Sequence, residues 1–174
     1  MEHTLAIEER GDAASHEDAR IDTIGRLFDS QHARLYRLAL RLTWGHDDAL
    51  DLVQECFVRA MEAGLPEEPE AAQRWLTRVL VNLCRDRQRR GAVRRAYDGV
   101  VRHEAPPAPE DPVMSAAVRD AVLALPVRQR AVVVLHEIEG RTLQEVAALL
   151  GIAAVTARWH LHVALRSLRK ELSR

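Results

Sequence analysis

The sequence predicts an all-α protein made of two small helical domains joined by a flexible, proline-containing linker. Apolar residues recur at helical spacing along most of the chain, and no stretch shows the alternating pattern of a β-strand. Several prolines interrupt this periodicity in the segment YDGVVRHEAPPAPEDP. The predicted division is an acidic, disordered tail at 1–20, a first domain at 21–95, a linker at 96–111 and a second domain at 112–174.

Three helices are predicted in the first domain. The first runs from near Ile21 to a break at Gly45, after which Asp47 can cap the second helix. Gly64 is placed to end that second helix, and Pro69 suits the first turn of the third.

Four helices are predicted in the second domain, and each has a start or stop signal. The first helix has Asp111 as a cap and Pro112 in its first turn, and the second begins at Pro126 and ends at Gly140. The third begins with a capping box of Thr142 and Glu145 and ends at Gly151, and the last runs over about 155–172.

Charge is strongly segregated along the chain, although the net charge is only -1. Residues 1–23 hold seven acidic side chains and two arginines, for a net charge of -5. Residues 74–102 hold nine arginines and two aspartates, for a net charge of +7. A near-neutral protein of this kind can still bind a polyanion, because the positive charge is concentrated in one segment.

Several protein classes are disfavoured by the sequence. No apolar run approaches the ~18 residues of a membrane span, and the N-terminus lacks the basic start and apolar core of a secretion signal, so we expect a cytoplasmic protein without membrane insertion.

Cys56 and Cys84 are expected to be small buried core residues. His160 and His162 point to different faces of a helix, and no carboxylate set has metal-binding spacing. We expect no catalytic centre, metal or cofactor.

The third helix, RWLTRVLVNLCRDRQRR, has a cationic and an apolar face. At about 100° per residue, one face carries Arg74, Arg78, Asn82, Arg85 and Arg89, and the other carries Leu76, Val79, Leu80 and Leu83. Guanidinium groups interrupted by an amide suit a surface that holds phosphates and reads an exposed base edge. For a charge run taken alone, a solvated helix face is the alternative interpretation.

The second helix carries an acidic ridge. Asp48, Asp51, Glu55 and Glu62 share one face, opposite Leu50, Val53 and Phe57. Such a ridge suits a basic helical partner, and a solvated face is again the alternative.

The end of the chain predicts a helix-turn-helix, because a short helix, the turn Gly151-Ile152-Ala153 and a longer helix follow each other. A leucine side, with Leu161, Leu165, Leu168 and Leu172, is expected to dock into the domain. The opposite face presents Thr156, Trp159, Val163, Arg166 and Lys170, flanked by Arg158 and His162. Trp159 and Val163 suit either thymine methyl groups or packing against a neighbouring helix or a protein partner.

Taken together, four ordered blocks between about Leu27 and Leu172 resemble the extracytoplasmic-function (group IV) sigma factors of the sigma-70 family. The blocks are LYRLALRLT, DDALDLVQECFVRAM, RWLTRVLVNLCRDRQRR and LPVRQRAVVVLHEIEGRTLQEVAALLGI with the helix TARWHLHVALRSLRKEL. The resemblance implies a bacterial transcription initiation factor that is not an enzyme. The first domain would be sigma region two and the second would be region four.

The same resemblance implies partners and site residues. Core RNA polymerase would be bound through the clamp helices of its largest subunit, by Asp48, Asp51, Gln54 and Glu55, and through the flap of its second-largest subunit. Asn82 would line a pocket for a base flipped from the nontemplate strand of the minus-ten element, and the flanking strand would be held by Arg74, Arg78, Arg85, Arg89 and Arg90. The minus-thirty-five element would be read as duplex by Arg141, Thr156, Arg158, Trp159, His162 and Arg166. An anti-sigma factor is a further partner that the resemblance allows.

The recognition helix departs from the family pattern, because His160, Val163 and Leu165 stand where arginine is common. We therefore expect a weaker upstream contact, which weakens further as histidine loses its charge at rising pH. Two other functions remain open. One is a sigma-like adaptor that binds protein partners without opening promoters, and the other is a helix-turn-helix regulator with a sensory N-terminal half.

Overall fold

Seven α-helices and one π-helical turn make up the part of the chain that the structure, a computed structural model, describes. The backbone is described for residues 2–66, 68–98 and 115–173, and the side chains for 22–66, 68–91 and 115–173. The elements are α1 (Glu2–Thr43), α2 (His46–Ala63), α3 (Pro69–Asp98), α4 (Ala116–Ala124), α5 (Val127–Val133), the π-helical turn (Val134–Ile138), α6 (Leu143–Leu150) and α7 (Ala154–Leu172). These backbone ranges contain no β-strand, and the all-α class is confirmed.

The N-terminal unit, α1 to α3, is an apolar bundle. Helix α1 packs along α2, and α3 contacts both. Leu76, Leu80 and Leu83 of α3 are buried, which confirms its predicted apolar side. Cys56 and Cys84 are free and buried, as expected for small core residues, and burial raises the pKa of each thiol to about 12.

Helix α1 is longer than the sequence indicated. We expected residues 1–20 to be disordered, but the helix begins at Glu2 and runs for 42 residues. The segment is poor in large apolar side chains, and that composition argues only against a core of its own. A helix that is nucleated by the packed residues after Leu27 can still extend towards the N-terminus, because extending a helix is easier than nucleating one. Acidic residues at the start of a helix also complement its dipole.

Two predicted caps differ from the structure. The N-cap of α2 is Gly45 without a side-chain hydrogen bond, and Asp47 instead lies within the first helical turn. Asp111 and Pro112 fall outside the described residues. The first helix of the C-terminal unit begins later than expected, where the side chain of Ser115 accepts a hydrogen bond from the backbone N–H of Val118.

The capping signals of α6 are confirmed. The backbone N–H of Thr142 donates to Oε2 of Glu145 at 2.8 Å, and the N–H of Glu145 donates to the Thr142 hydroxyl at 3.2 Å. The backbone N–H of Thr142, and its hydroxyl, which also donates to Oε2 at 2.8 Å, lower the pKa of the Glu145 carboxyl. Gly151 ends α6 with φ at +64°, a left-handed conformation that glycine adopts without steric cost.

The two helical units share one hydrophobic core. Helix α3 packs against α5 and α6, and α1 contacts α5 and the π-helical turn. The buried cluster therefore includes both Leu80 of α3 and Val146 of α6. Most of the expected linker lies outside the described residues, but its first residues, up to Asp98, continue α3. Whereas the sequence suggested two tethered domains, the structure shows them docked.

Across the described chain, no single helix has both the length and the apolar composition to cross a membrane. Helices α6 and α7 have the length and apolar composition of a membrane span only when they are taken together, and they are bent by 106° relative to each other.

Candidate nucleic-acid interface

The arginine face of α3 is largely open to solvent. Arg78, Arg85, Arg89 and Arg90 are exposed, and Arg74 is half-buried beside Glu70, with 3.6 Å between Nη1 and Oε2. The structure thus places Arg74, Arg78, Arg85 and Arg89 on one side of α3, opposite the buried leucines. Arg90 instead lies beside Arg87, in the groove between α2 and α3. Exposed guanidinium groups along a rigid helix can bind successive phosphates of a nucleic-acid strand.

Asn82 lies among these arginines but is half-buried. A cavity of about 20 Å³ next to it is lined by Arg78 and Val81 of α3 and by Arg128, Leu150 and Ile152 of the C-terminal unit. The sequence predicted an Asn82 that faces a partner. In the structure, Asn82 and Arg78 line a cavity with residues of the C-terminal unit of the same chain. Arg85 and Arg89, further along the same face, are exposed.

The acidic ridge of α2 is exposed, although parts of it are paired. Asp51, Gln54 and Glu55 are exposed, whereas Asp48 is half-buried. Arg87 donates a hydrogen bond to Asp48, and its Nη2 lies 3.6 Å from Oδ2 of Asp51.

An open groove of about 540 Å³ runs past this pair between α2 and α3. It is lined by Asp51 and Glu55 on one side and by Arg87 and Arg90 on the other. A partner that binds the ridge therefore meets carboxylates and guanidinium groups side by side.

Sequence reasoning missed the role of Arg87. A signal was available, because at 100° per residue Arg87 falls on the side of α3 away from the arginine stripe. A cation placed there can neutralise carboxylates on a neighbouring helix. The periodicity alone could not say which helix that would be.

The helix-turn-helix is present, and most of its predicted reading residues reach solvent. Arg158, Trp159, His162 and Arg166 of α7 are exposed. Thr156 and Arg141 are half-buried, and Nη1 of Arg141 lies 3.5 Å from a carboxylate oxygen of Glu145. Ala157, Ala164 and Leu168 are buried on the docked side.

Trp159 projects from this surface with 57% of its area exposed. Its nearest ring is His160 of the same helix, with centroids 5.0 Å apart. One of the interpretations that we kept open was packing of Trp159 against a neighbouring helix, and the structure does not show such packing. Leu172, the last residue of α7, was expected to dock but is 49% exposed.

His160 takes a different place from the one expected of a phosphate contact. It is half-buried, and burial, together with the nearby Arg128, lowers its pKa. A histidine held neutral in this way adds little attraction for phosphate.

Arg130 of α5 is a second residue that the sequence analysis missed. It is only 5% exposed and donates hydrogen bonds to the carbonyl oxygens of Leu42, Leu123 and Leu125. Burial lowers its pKa. The available signal was its position, because Arg130 stands three residues after Val127 and four before Val134, on the apolar side of the helix, and a buried arginine needs partners.

Comparison with known protein families matches both units. The model of sigma-70 region 2 matches residues 27–94, and the model of sigma-70 region 4 matches residues 115–168.

Characterised relatives agree with this assignment. The ECF RNA polymerase sigma factor SigE of Mycolicibacterium smegmatis is 37% identical over 155 residues, an alignment that covers 83% of this chain and 60% of SigE. SigM of Mycobacterium tuberculosis, another ECF RNA polymerase sigma factor, is 32% identical over 157 residues, covering 86% of this chain and 79% of SigM.

Two solved structures share the fold. CnrH in complex with the cytosolic domain of CnrY has a TM-score of 0.60 and 25% identity, covering 92% of this chain and 94% of CnrH. The sigma factor RpoE from Bartonella quintana, in complex with the anti-sigma factor NepR, has a TM-score of 0.59 and 22% identity, covering 91% of this chain and 97% of RpoE.

The fold and its two surfaces thus define a two-part helical protein of the sigma-70 class, with region two followed by region four. Within that class, the chain belongs to the extracytoplasmic-function RNA polymerase sigma factors.

Proposed function

We propose that this protein binds core RNA polymerase in the cytoplasm, gives it promoter selectivity and starts transcription without a catalytic centre of its own. The observation that carries the proposal is the arginine face of α3, where exposed guanidinium groups surround a single amide, Asn82. Contacts between the arginines and the phosphates offset the free energy of unstacking a base, which is on the order of a few kcal/mol. The Asn82 amide then reads the edge of the captured base.

Contacts with polymerase are assigned to the ridge of α2, at Asp48, Asp51, Gln54 and Glu55. The exposed carboxylates of Asp51 and Glu55 fit a basic helical surface such as the clamp helices of the largest subunit. Arg87 holds Asp48 and Asp51 in place until a partner guanidinium or ammonium group replaces it.

Upstream contacts are assigned to the C-terminal unit. The exposed Arg158, His162 and Arg166 suit phosphates and base edges of a minus-thirty-five duplex, and the exposed Trp159 suits thymine methyl groups. Arg141 and Thr156 lie at the margins of the same surface. We also propose contact between this unit and the flap of the second-largest subunit, and an anti-sigma factor as a regulatory partner, which the complex of RpoE with NepR supports.

Transcription in vitro tests the proposal. Core RNA polymerase from Mycolicibacterium smegmatis is mixed with the purified chain and a library of promoter templates, and transcript starts are sequenced. We expect a small set of related promoters to be selected. Replacing Arg85 and Arg89 together with Ala should lower initiation at least about tenfold, and it should reduce the salt dependence of strand binding by roughly 0.7 per arginine removed.

A matched control changes the same number of charges elsewhere. Arg26 and Arg119 lie on α1 and α4, away from the arginine face of α3, so their double replacement with Ala should leave initiation unchanged. Association with polymerase without transcripts from any template would support a sigma-like adaptor instead. Tight duplex binding with no association to polymerase would support a helix-turn-helix regulator.

A further inference from the structure

Three arginines lie on the side of α1 that faces the C-terminal unit. Arg34, Arg37 and Arg41 are spaced by three and four positions, so they share one helical face. Like charges at this spacing repel each other and destabilise a helix. Arg141, the residue before the Thr142 cap of α6, adds a fourth positive charge from the C-terminal unit. We call these four arginines the α1 arginine cluster; it is separate from the arginine face of α3.

The charges of the cluster lie close enough to influence one another. Burial is the largest cause that lowers the pKa of Arg34. Glu139 raises this pKa, whereas the positive charges of Arg141 and Arg37 lower it further. Because Arg141 belongs to the C-terminal unit, the cluster spans both units.

Two members of the cluster have a carboxylate partner. These pairs are Arg41 with Glu139, at 4.0 Å between Nη1 and Oε1, and Arg141 with Glu145, at 3.5 Å between Nη1 and Oε1. Within the side chains that the structure describes, no carboxylate lies within ion-pair distance of Arg34 or Arg37. The cluster therefore keeps two positive charges that no acidic side chain of the described chain neutralises.

Arg34 also lacks hydrogen-bond acceptors. Its Nη2 donates to the hydroxyl of Thr77 at 2.9 Å, and that hydroxyl donates to the carbonyl of Gln73 at 2.8 Å. Nε and Nη1 of Arg34 are buried, and neither has a hydrogen-bond partner in the described chain. A half-buried guanidinium group without a counter-charge favours an anion nearby, because a charge held away from water is costly to leave uncompensated.

Two other members of the cluster can be reached from solvent. Arg37 is exposed and Arg141 is half-buried. An anion that contacts these two side chains also experiences the charge of Arg34, which both of them influence. Guanidinium groups match the geometry of phosphate oxygens, and a phosphate monoester carries a charge of about −1.5 to −2 near neutral pH. That charge balances the two unneutralised arginines.

We propose that the α1 arginine cluster is a phosphate-binding site, in which Arg37 and Arg141 contact the phosphate oxygens and Arg34 supplies a further positive charge. The phosphate belongs either to a small phosphorylated molecule or to the backbone of a nucleic acid, since both present the same oxygens. Its contacts come from α1 and from the residue before α6. A bound phosphate therefore strengthens the contact between the two units.

Isothermal titration calorimetry with pyrophosphate tests the site. Pyrophosphate is titrated into the full-length chain at an ionic strength held constant with sodium chloride, without DNA or polymerase. Arg37→Gln should weaken binding about three- to tenfold, because it removes one charge-assisted contact. Arg26→Gln is the matched control, since Arg26 is an exposed arginine of the same helix outside the cluster, and it should leave the affinity unchanged.

Further variants separate the cluster from the arginine face of α3. Arg141→Gln should weaken pyrophosphate binding as Arg37→Gln does, and the two substitutions together should weaken it more than either alone. Replacing Arg85 and Arg89 with Gln removes the same number of charges from α3 and should weaken pyrophosphate binding less than Arg37→Gln. Circular dichroism of each variant establishes that its helices are intact.

Duplex DNA distinguishes the two sources of phosphate. A fluorescently labelled duplex of random sequence is titrated with the unchanged chain and with Arg37→Gln. If the substitution weakens duplex binding as well as pyrophosphate binding, the site takes a backbone phosphate. If it weakens pyrophosphate binding alone, the site takes a small phosphorylated molecule.

Three results would overturn the phosphate site. These are no binding of pyrophosphate at matched ionic strength, equal affinities of Arg37→Gln and Arg26→Gln, and loss of binding only when Arg85 and Arg89 are replaced. Since the calorimetry contains no polymerase or promoter, its result is independent of the transcription experiment. A protein that starts transcription but does not distinguish Arg37 from Arg26 keeps the proposed function and loses this site.

Discussion

Arg130 in α5 donates a hydrogen bond to the main-chain carbonyl of Leu42 at the end of α1, 88 positions earlier in the chain. The same guanidinium group binds the carbonyl of Leu125 at 3.0 Å and that of Leu123, both at the end of α4. The last carbonyls of a helix have no partner within the helix and form the negative end of its dipole. One buried cation therefore serves two helix ends and links the two units.

Replacing Arg130 with Met should lower the free energy of unfolding by about 2–4 kcal/mol, because buried carbonyls that lose a partner each cost roughly 1–3 kcal/mol. Urea unfolding followed by circular dichroism measures the change. Arg89→Met, at an exposed position of α3, is the control and should shift stability by less than about 0.5 kcal/mol. Equal stability of the two variants would contradict a supporting role for Arg130.

The ion pair of Arg87 and Asp48 is expected to contribute little to stability. The two side chains keep 41% and 48% of their area exposed, and exposed pairs contribute only about 0.2–1 kcal/mol. A double-mutant cycle with Arg87→Gln and Asp48→Asn should give a coupling energy in that range, which decreases as salt is added. A coupling that is both large and insensitive to salt would argue against this account.

Trp159→Ala separates DNA contact from folding. Because Trp159 is 57% exposed, the substitution should change the free energy of unfolding by less than about 0.5 kcal/mol. It should weaken binding of the holoenzyme to a selected minus-thirty-five duplex without changing the salt dependence, since an indole neutralises no phosphate. Leu161 lies on the same helix but packs against the hydrophobic core. Leu161→Ala should therefore lower the free energy of unfolding and have little specific effect on duplex binding. Unchanged duplex affinity of Trp159→Ala would remove this residue from the reading surface.

His160 should make stability depend on pH. Burial and the nearby Arg128 lower its pKa from 6.5, so the folded protein resists a proton that the unfolded chain accepts. The stability contribution is present above pH 6.5 and is lost as pH falls through the lowered folded-state pKa. His160→Gln should flatten this dependence in urea unfolding at a series of pH values, whereas His162→Gln, at an exposed position, should retain it. A steep loss of stability that persists in His160→Gln would assign the effect to another group.

Much of the fold follows from short-range patterns. The capping box of Thr142 and Glu145 and the left-handed Gly151 depend on residues a few positions apart, so the sequence suffices to place them. The buried side of α3 likewise follows from the helical spacing of its leucines. Where the sequence misled us, at the start of α1, low apolar content was taken for disorder although the helix continues from a packed segment.

In the candidate site, too, some features follow from the local sequence and others only from the tertiary structure. The sequence by itself determined which arginines share a face with Asn82, because 3.6 residues per turn fix the direction of each side chain on a helix. Only the tertiary structure decided that Arg87 turns to the acidic ridge, that Arg130 joins α1 to α4, and that Ile152 lines a cavity with Asn82. These relationships connect residues far apart in the chain, and they depend on how two apolar surfaces fit together, which no local periodicity encodes.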